Sequence, residues 1–425
     1  MLKIMLPYGR EFLSAEIPSE RIAGILMPKC QQSIEGVTEA ALVEKALAEP
    51  VASPRLRDLA KGKDRIVIIS SDHTRPVPSK ITIPILLAEI RKGNPEADVT
   101  ILVATGFHRP TSCEEINERF GEEIVRQVRI VIHDCNDQDN LIKLAKLPSG
   151  GELILNRLAI EADLLVAEGF IEPHFFAGFS GGRKSVLPGI ASRQTIMSNH
   201  CADFIACPNC RTGVLEGNPI QKDMLFAAKA AKLAFILNVV LDSEKRVIKA
   251  FAGHYNEAHL QGCNLVQELA GVQAIPADIV VTTNGGYPLD QNVYQTVKCM
   301  TAAEAACNEN GVIIAVSQCV DGHGGEEFYK TFANADRVDD IMKEISARSP
   351  GKTIADQWQS QILARILLKH QVIMVTDAPR EIVENMKMRW APSIQEALRM
   401  AGNLLGNSRA KITVIPDGVA VIVNK

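Results

Sequence analysis

Short apolar segments rich in β-branched residues recur along the chain, each followed by a polar or glycine-rich loop and then by a helix-like segment. In the first half, the helix-like segments include ITIPILLAEIRKG and CEEINERFG. The apolar segments there are RIVIIS (65–70), VTILVAT (99–105), VRIVIH (128–133) and ADLLVAEG (162–169). Parallel strands need helical crossovers, so this alternation predicts an α/β fold with largely parallel sheets. FILNVVL and RVIKAFA flank the turn residues DSEK (242–245) and predict a hairpin-like pair.

The alternation pauses once and then restarts. ELAGVQAIPAD (268–278) is rich in small residues, contains proline and has weak periodicity, which is typical of a linker. A helix-like VYQTVKCMTAAEAAC then follows the loop NGGYPLDQN. Further strands are predicted at ADIVVTT (277–283), GVIIAVS (311–317), QVIMVT (371–376), KITVIPDG and VAVIVN. We therefore predict two α/β domains, residues 1–270 and 275–425, with an active-site cleft between them.

Composition narrows the classes of protein that this chain can be. Apolar residues make up 46% of the 425 residues and charged residues 23%, as in ordinary globular proteins. A net charge of −4 gives no electrostatic support for binding nucleic acid or a membrane surface. The apolar run LAFILNVVL (233–241) is about half as long as a membrane-spanning helix, and MLKIMLPYGREF lacks the apolar core of a signal peptide. A cytoplasmic location is expected.

The ten cysteines show no disulfide framework, and free thiols are expected. Cys207 and Cys210 form one CxxC motif, whereas a structural zinc site normally takes two such pairs. The motif therefore predicts no metal site, and the sequence assigns it no role.

Four loops are expected to hold the ligand, because ligands of open α/β sheets bind at the carboxyl ends of the strands. The loops are 71–79, 106–112, 170–185 and 284–292. The first three carry charged and polar residues: Asp72, His73, Thr74, Arg75, His108, Arg109, Glu172, His174, Arg183 and Lys184. Histidine exchanges protons near neutral pH, so His108 and His174 suit acid–base chemistry, and Arg75 suits recognition of a carboxylate or phosphate. Structural roles, such as capping or turn formation, are the alternative for each.

The glycine-rich loop resembles a phosphate-binding P-loop but departs from its pattern. The pattern runs Gly, four residues, Gly, Lys and Ser or Thr. Counted from Gly178, the second glycine is replaced by Arg183, before Lys184 and Ser185. Backbone N–H groups could still receive a phosphate here, or Lys184 could anchor a covalent group through its amine.

Further candidates lie outside these loops or at their ends. His200 follows a helix-like stretch and is either structural or a metal ligand. Tyr294 and Lys298 share one helix face beside Gln295, on a helix that starts at the fourth loop. Trp358, within ADQWQSQILARIL, either packs in the core or lines a site.

Five segments together resemble the nickel-dependent lactate racemase family, over nearly the whole chain. They are SDHTRPVPS (71–79), TGFHRP (105–110), EPHFFAGFSGGRKSVLPG (172–189), SNH (198–200) and GGYPLDQNVYQTVK (285–298). The resemblance implies a racemase of a small 2-hydroxy acid, L- and D-lactate first, that works by reversible hydride transfer. It also implies maturation proteins that make the cofactor.

The implied cofactor is the nickel-pincer nucleotide, Ni-pyridinium-3,5-bisthiocarboxylic acid mononucleotide, attached covalently at Lys184 with His200 as a nickel ligand. By the same resemblance His108 and His174 are the two acid/bases. The first domain would bind the cofactor, and the second would close over the substrate. Cofactor contacts fall on Asp72, His73, Thr74, Arg75, Lys184 and His200, and substrate contacts on Arg75, Tyr294, Gln295, Lys298 and Trp358.

Three alternatives stay open at this point. One is a racemase or epimerase of another 2-hydroxy acid in the same family, although Tyr294 and Trp358 would restrict the pocket and favour lactate. Another is a P-loop-like phosphate-binding enzyme that uses residues 178–185. The third is a protein that binds the nickel nucleotide without turnover.

Overall fold

The computed structural model describes residues 1–29 and 36–424. Its strands, in chain order, are β1 (Leu2–Tyr8), β2 (Glu11–Ile17), β3 (Ile22–Ile25), β4 (Arg65–Ser71), β5 (Asp98–Ala104), β6 (Arg129–Ile132), β7 (Leu141–Lys146), β8 (Glu152–Asn156), β9 (Leu164–Phe170), β10 (Pro173–His174), β11 (Gly178–Phe179), β12 (Leu233–Leu241), β13 (Val247–Gly253), β14 (Gly271–Gln273), β15 (Ala277–Thr283), β16 (Cys307–Val316), β17 (Gln371–Val375), β18 (Arg389–Ala391), β19 (Ile412–Ile415) and β20 (Ile422–Asn424).

The α-helices, in chain order, are α1 (Glu39–Ala48), α2 (Leu56–Leu59), α3 (Ser79–Gly93), α4 (Cys113–Phe120), α5 (Glu122–Gln127), α6 (Arg157–Ile160), α7 (Arg193–Asn199), α8 (Ala202–Ala206), α9 (Pro219–Ala230), α10 (Glu257–Ala270), α11 (Val293–Ala306), α12 (Glu326–Ala333), α13 (Val338–Ser346), α14 (Gln357–Leu367), α15 (Arg380–Asn385) and α16 (Ile394–Leu404). Short 3₁₀ helices cover Ser19–Arg21, Gln138–Asn140, Gly182–Ser185 and Pro350–Lys352. Among the helices of these described ranges, none is long and apolar enough to cross a membrane.

The chain forms two compact units. The N-terminal unit contains residues 36–200 and 207–269, and the C-terminal unit contains residues 1–29, 201–206 and 270–424. Within the predicted first domain, 1–270, strand β3 pairs in parallel with β19 and extends the C-terminal sheet. Residues 201–206 also belong to the C-terminal unit, where Gln361 donates its Nε2–H to the Ala202 carbonyl at 2.8 Å.

The N-terminal unit is built on a six-stranded sheet of order β13-β12-β9-β4-β5-β6. All neighbours in it are parallel except β12 and β13, which form the predicted antiparallel pair. The central strands are buried along almost their whole length, as expected for a parallel sheet covered on both faces. Ile68, Ile101 and Val166 of the sheet pack in one core with Leu86 and Ile90 of α3.

The C-terminal unit contains a second six-stranded sheet, of order β18-β17-β16-β15-β19-β3, and every pair in it is parallel. The β1–β2 hairpin contributes Leu6 and Ile17 to its core, beside Val281 and Ile314. The predicted linker at 268–278 is only partly a connection, because β14 pairs in parallel with β20. The predicted α/β class with largely parallel sheets is confirmed.

Candidate active site

Three of the predicted loops meet at one edge of the N-terminal sheet. Strands β9, β4 and β5 are adjacent and parallel, so the loops that follow them all leave from their carboxyl ends. The Gly106 N–H donates to the Gly189 carbonyl at 3.0 Å and ties the loop after β5 to the end of the glycine-rich segment. The structure thus places the loops with His108, Asp72 and Lys184 at this edge.

Asp72 and His108 form a hydrogen-bonded pair. The buried Asp72 carboxylate lies 2.6 Å from His108 Nδ1, and its other oxygen accepts from the hydroxyl and the N–H of Thr74. Burial works against the charged carboxylate, but the hydrogen bond and charge of His108 and the charge of Arg75 outweigh it and lower the pKa of Asp72. Asp72 is therefore ionised at neutral pH and orients the His108 ring through Nδ1.

The neighbours of Asp72 have different surroundings. His73 lies 3.1 Å from the Thr111 hydroxyl and 3.7 Å from the Glu115 carboxylate, and burial lowers its pKa. Arg75 donates to the Thr74 hydroxyl at 3.1 Å. Arg109 forms a two-pronged ion pair with Glu115 on the exposed side of α4. Of the predicted cofactor contacts in this loop, Asp72, Thr74 and Arg75 lie beside His108, while His73 contacts the start of α4.

Glu168 holds the loop that contains Asp72 through hydrogen bonds at both of its ends, and the sequence analysis did not identify it. Its carboxylate is fully buried at the end of β9 and accepts hydrogen bonds from the hydroxyls of Ser70, Ser79 and Thr82. Ser70 precedes the Asp72 loop and Ser79 begins the helix that follows it, so one carboxylate fixes both ends of the loop. A charged residue inside the apolar run ADLLVAEG was the signal that could have identified it.

Replacing Glu168 with alanine would remove the acceptor of the Ser70 and Ser79 hydroxyls and leave the Thr82 hydroxyl with the Pro78 carbonyl alone. We expect Glu168→Ala to lower the free energy of unfolding of the N-terminal unit by about 2–4 kcal/mol, measured by urea denaturation. Glu161→Ala removes an exposed carboxylate of the same unit and is the matched control, with an expected effect below about 0.5 kcal/mol. Equal unfolding midpoints for the two variants would contradict this role of Glu168.

The glycine-rich segment does not form a P-loop. Residues 182–185 form a single 3₁₀ turn, whereas a P-loop leads into a long helix. The Gly182 N–H donates to the Asn238 side chain, and the Lys184 N–H donates to the Gly181 carbonyl, so these groups are already occupied. Gly181 and Gly182 have φ of 76° and 53°, and a Cβ on Gly182 would lie 2.7 Å from the His259 ring. Close packing and backbone conformation explain these glycines, and the phosphate-binding alternative fails.

Lys184, His174 and His200 are instead arranged around one phenylalanine. The ring of Phe176 lies 4.5 Å from that of His174 and 5.1 Å from that of His200, centroid to centroid. Lys184 Nζ lies 5.9 Å from the centre of the same ring. Burial, with the charge of Lys184, lowers the pKa of His200 to about 3, so its imidazole is neutral. The Ala177 N–H donates to His174 Nδ1 at 3.2 Å.

The candidate substrate contacts from the second half of the chain all lie within the C-terminal unit. Trp358 on α14 donates its indole N–H to the Tyr294 hydroxyl at 3.1 Å, and Gln359 donates to the Tyr294 carbonyl. Burial, with Asp356 nearby, raises the pKa of Tyr294, so the phenol stays protonated. Gln295 and Lys298 lie on the same helix as Tyr294, α11. The Gln295 Oε1 atom is buried and accepts no hydrogen bond from the residues that the structure describes.

Cys207 and Cys210 are free thiols in the structure. Cys210 is buried beside the Asn218 amide oxygen, and burial raises the pKa of its thiol to about 12. Within residues 1–29 and 36–424, no group of three or more His, Cys, Asp and Glu side chains could hold a metal ion.

Comparison with known proteins places the whole chain in one group. The lactate racemase N-terminal domain matches residues 8–213, and the lactate racemase C-terminal domain matches residues 272–423. A lactate racemase from Thermoanaerobacterium thermosaccharolyticum is 56% identical over 426 residues, and one from Lactiplantibacillus plantarum is 52% identical over 424 residues. Both alignments cover 100% of this chain and of the relative.

Solved structures agree with these sequence matches. The lactate racemase apoprotein from T. thermosaccharolyticum superposes with a TM-score of 0.97 at 56% identity and covers 100% of both chains. A crystal structure of a protein from Thermotoga maritima has a TM-score of 0.65 at 18% identity over 93% of this chain and 100% of that one, which supports the fold alone. With two full-length relatives above 50% identity, the chain belongs to the lactate racemase family.

Proposed function

We propose that this protein is an isomerase that interconverts L- and D-lactate, with His108 and His174 as its two acid/bases. The observation that carries the proposal is the contrast between the two imidazoles. His108 Nδ1 faces the ionised Asp72 carboxylate, whereas His174 Nδ1 faces the N–H of Ala177. A racemase needs one group that takes a proton and another that returns it on the opposite face of the substrate.

The hydrogen-bond partner of each histidine determines which of its two ring nitrogens carries the proton. A carboxylate accepts, so His108 carries its proton on Nδ1 and offers the Nε2 lone pair as a base. A backbone N–H donates, so the neutral His174 ring holds a lone pair on Nδ1 and carries its proton on Nε2. It acts as an acid in the imidazolium form, in which Nδ1 has also taken a proton and the hydrogen bond from Ala177 is released. In one direction His108 takes the hydroxyl proton and His174 protonates the keto oxygen, and in the other direction the roles reverse.

The residues around Phe176 fit the nickel-pincer nucleotide implied by the family. Lys184 would hold it through an amide-type bond, and neutral His200 would supply one ligand to its nickel, since a deprotonated imidazole nitrogen is the form that binds metals. The cofactor's own donors would supply the rest of the nickel's ligands. When bound, this group supplies a hydride acceptor, which avoids a carbanion next to the substrate carboxylate.

Other residues of the chain bind and enclose the substrate in this proposal. Arg75 of the N-terminal unit is proposed to bind the substrate carboxylate by charge-assisted hydrogen bonds, and Lys298 is proposed as a substrate contact of the C-terminal unit. Gln295, whose buried Oε1 accepts no hydrogen bond from the residues that the structure describes, is a further substrate contact in this proposal. Tyr294 and Trp358, already joined by a hydrogen bond, form a rigid wall that limits the size of the 2-hydroxy acid. Asp72, His73 and Thr74 shape the cofactor side of the site.

The activity is tested with the enzyme produced together with its maturation proteins and loaded at Lys184. L-lactate is incubated in D₂O, and the products are separated by chiral chromatography and weighed by mass spectrometry. We expect a 1:1 mixture of enantiomers that keeps the original hydrogen on C2, because hydride transfer does not exchange it with solvent. Deuterium at C2 would contradict hydride transfer, and absence of D-lactate from loaded protein would contradict the activity. Other 2-hydroxy acids in the same assay test the substrate.

Replacing Asp72 with asparagine is expected to lower kcat by roughly 10²–10⁴-fold, because an amide neither fixes the His108 proton on Nδ1 nor stabilises the imidazolium. The lowered pKa of Asp72 also makes the stability of the folded protein depend on pH. The stabilisation from the ionised carboxylate is present above the ordinary aspartate pKa and is lost as the pH falls below it.

The control for the kcat of Asp72→Asn is Asp139→Asn, on an exposed turn of the same unit. Initial rates in both directions give the measurement, and wild-type kcat in Asp72→Asn would refute the pairing.

A further inference from the structure

Arg183, the residue that breaks the P-loop pattern, is one of the largest fully buried side chains in the protein. Its Nη2 donates to the Ala177 carbonyl at 2.9 Å and its Nη1 donates to the Gly181 carbonyl at 3.3 Å. Its Nε donates to the Gln221 side chain, and Nη1 also lies 2.9 Å from His259 Nε2. The guanidinium thus contacts four residues drawn from the glycine-rich segment and two other parts of the N-terminal unit.

These four partners are all neutral. Burial lowers the pKa of Arg183 to about 10, so the group is still a cation at neutral pH. Burial together with the charge of Arg183 lowers the pKa of His259 to about 3, so that imidazole is neutral as well. Burying a cation without a carboxylate partner is expensive, and removal of its hydrogen-bond partners would leave the charge uncompensated. Such a group holds its surroundings in one arrangement.

The contacts of Arg183 connect the His174 imidazole and the Lys184 turn, the two parts of this segment to which the proposed function gives a chemical role. Ala177 accepts from Arg183 through its carbonyl and donates through its N–H to His174 Nδ1. Gly181 accepts from the Arg183 side chain and also from the Lys184 N–H. One guanidinium therefore restrains Ala177, whose N–H orients the His174 ring, and the turn that presents Lys184.

We propose that Arg183 is a positioning residue, which sets the Lys184 amine for attachment of the cofactor and the His174 imidazole for proton transfer. The proposal rests on the proposed function, because it gives Arg183 its role through those two residues. It also accounts for a feature that catalysis alone does not require, namely a large buried cation directly before the attachment lysine. Asn238 and His259, both fully buried, also contact the turn: Asn238 accepts from the Gly182 N–H, and the His259 ring packs against Gly182.

The test compares Arg183→Met with Arg365→Met, each produced with the maturation proteins. Methionine removes the charge and all donors while keeping most of the volume. Arg365 is a largely buried arginine of the C-terminal unit, paired with Glu304, so its loss controls for general destabilisation. Intact mass gives the fraction of chains that carry the adduct on Lys184, and thermal unfolding gives the stability of each unloaded variant. Racemisation rates are then divided by the loaded fraction.

We expect Arg183→Met to reduce loading at least fivefold and to lower kcat per loaded chain about tenfold or more with KM within twofold, since misplaced groups affect the transition state most. Arg365→Met should load normally even where its unfolding temperature falls as far. Loading and kcat of Arg183→Met equal to those of Arg365→Met would overturn the proposal. Failure of the wild-type chain to load or to racemise lactate would instead refute the proposed function.

Gln221→Leu keeps the test decisive where Arg183→Met does not fold. This variant removes only the acceptor of Arg183 Nε and leaves the cation in place. Lower loading and a lower kcat per loaded chain, with unchanged KM, support the positioning role. Wild-type loading and kcat in a folded Gln221→Leu chain would overturn it.

Discussion

Replacement of His108 or His174 with alanine is expected to lower racemisation by about 10³-fold or more while Lys184 remains fully loaded with cofactor. General acid–base catalysis by one positioned group contributes roughly 10²–10⁴-fold, and each histidine acts once in every turnover. Neither side chain is the attachment point or the nickel ligand in the proposed function. Loss of rate with unchanged adduct mass would therefore separate proton transfer from cofactor binding.

The two variants should differ in which enantiomer they still oxidise. Each keeps one base, so each should form a stoichiometric amount of 2-keto acid from one enantiomer and none from the other. Rapid quenching of loaded enzyme with excess L- or D-lactate, followed by assay of the keto acid, measures this directly. His254→Ala, which alters another histidine of the N-terminal unit, serves as the control and should keep the wild-type rate with both enantiomers. Racemisation by either active-site variant at near wild-type rate would exclude the two-base mechanism.

Much of the N-terminal sheet was predictable because its strands are apolar along their whole length and its loops are not. The segments at 65–70, 99–105 and 162–169 form adjacent parallel strands, so the loops with Asp72, His108 and Lys184 leave the sheet at one edge, as the alternating pattern predicts. The family itself followed from the residues of these loops.

The rest depends on contacts between distant parts of the chain, which a local pattern does not contain. By position in the chain, the β1–β2 hairpin and β3 would be assigned to the first domain. In the structure β3 pairs with β19, almost four hundred residues later in the chain. In the sequence Arg183 is visible as a charged loop residue and as a departure from the P-loop pattern. Its role as a buried cation is not visible there, because Gln221 and His259 become its neighbours only in the folded unit. Glu168 and Asn238 lie within otherwise apolar strands. A single polar residue in such a strand indicates a buried network of hydrogen bonds.

Replacement of Lys184 with arginine is expected to abolish the covalent adduct and all measurable racemisation. Arginine keeps a positive charge and nearly the same reach beside Phe176, but its guanidinium does not form the amide-type bond that the proposal requires. The unloaded protein should stay folded, because Lys184 is only partly buried and its backbone N–H bond to Gly181 is retained. Intact mass of chains made with the maturation proteins, followed by peptide mapping, measures the adduct.

Lys229→Arg, an exposed lysine near the end of α9, is the matched control and should load as the wild type does. A further comparison uses His200→Ala, which should retain the mass of the organic nucleotide on Lys184 and lose nickel, measured by elemental analysis. Lys184→Arg and His200→Ala together separate attachment from metal binding, because in the proposed function the first removes the covalent bond and the second removes a nickel ligand. A sulfur-containing adduct on Lys184→Arg chains, or on a peptide other than the one that contains residue 184, would contradict the assignment of this lysine and, with it, the reason that Arg183 lies buried beside it.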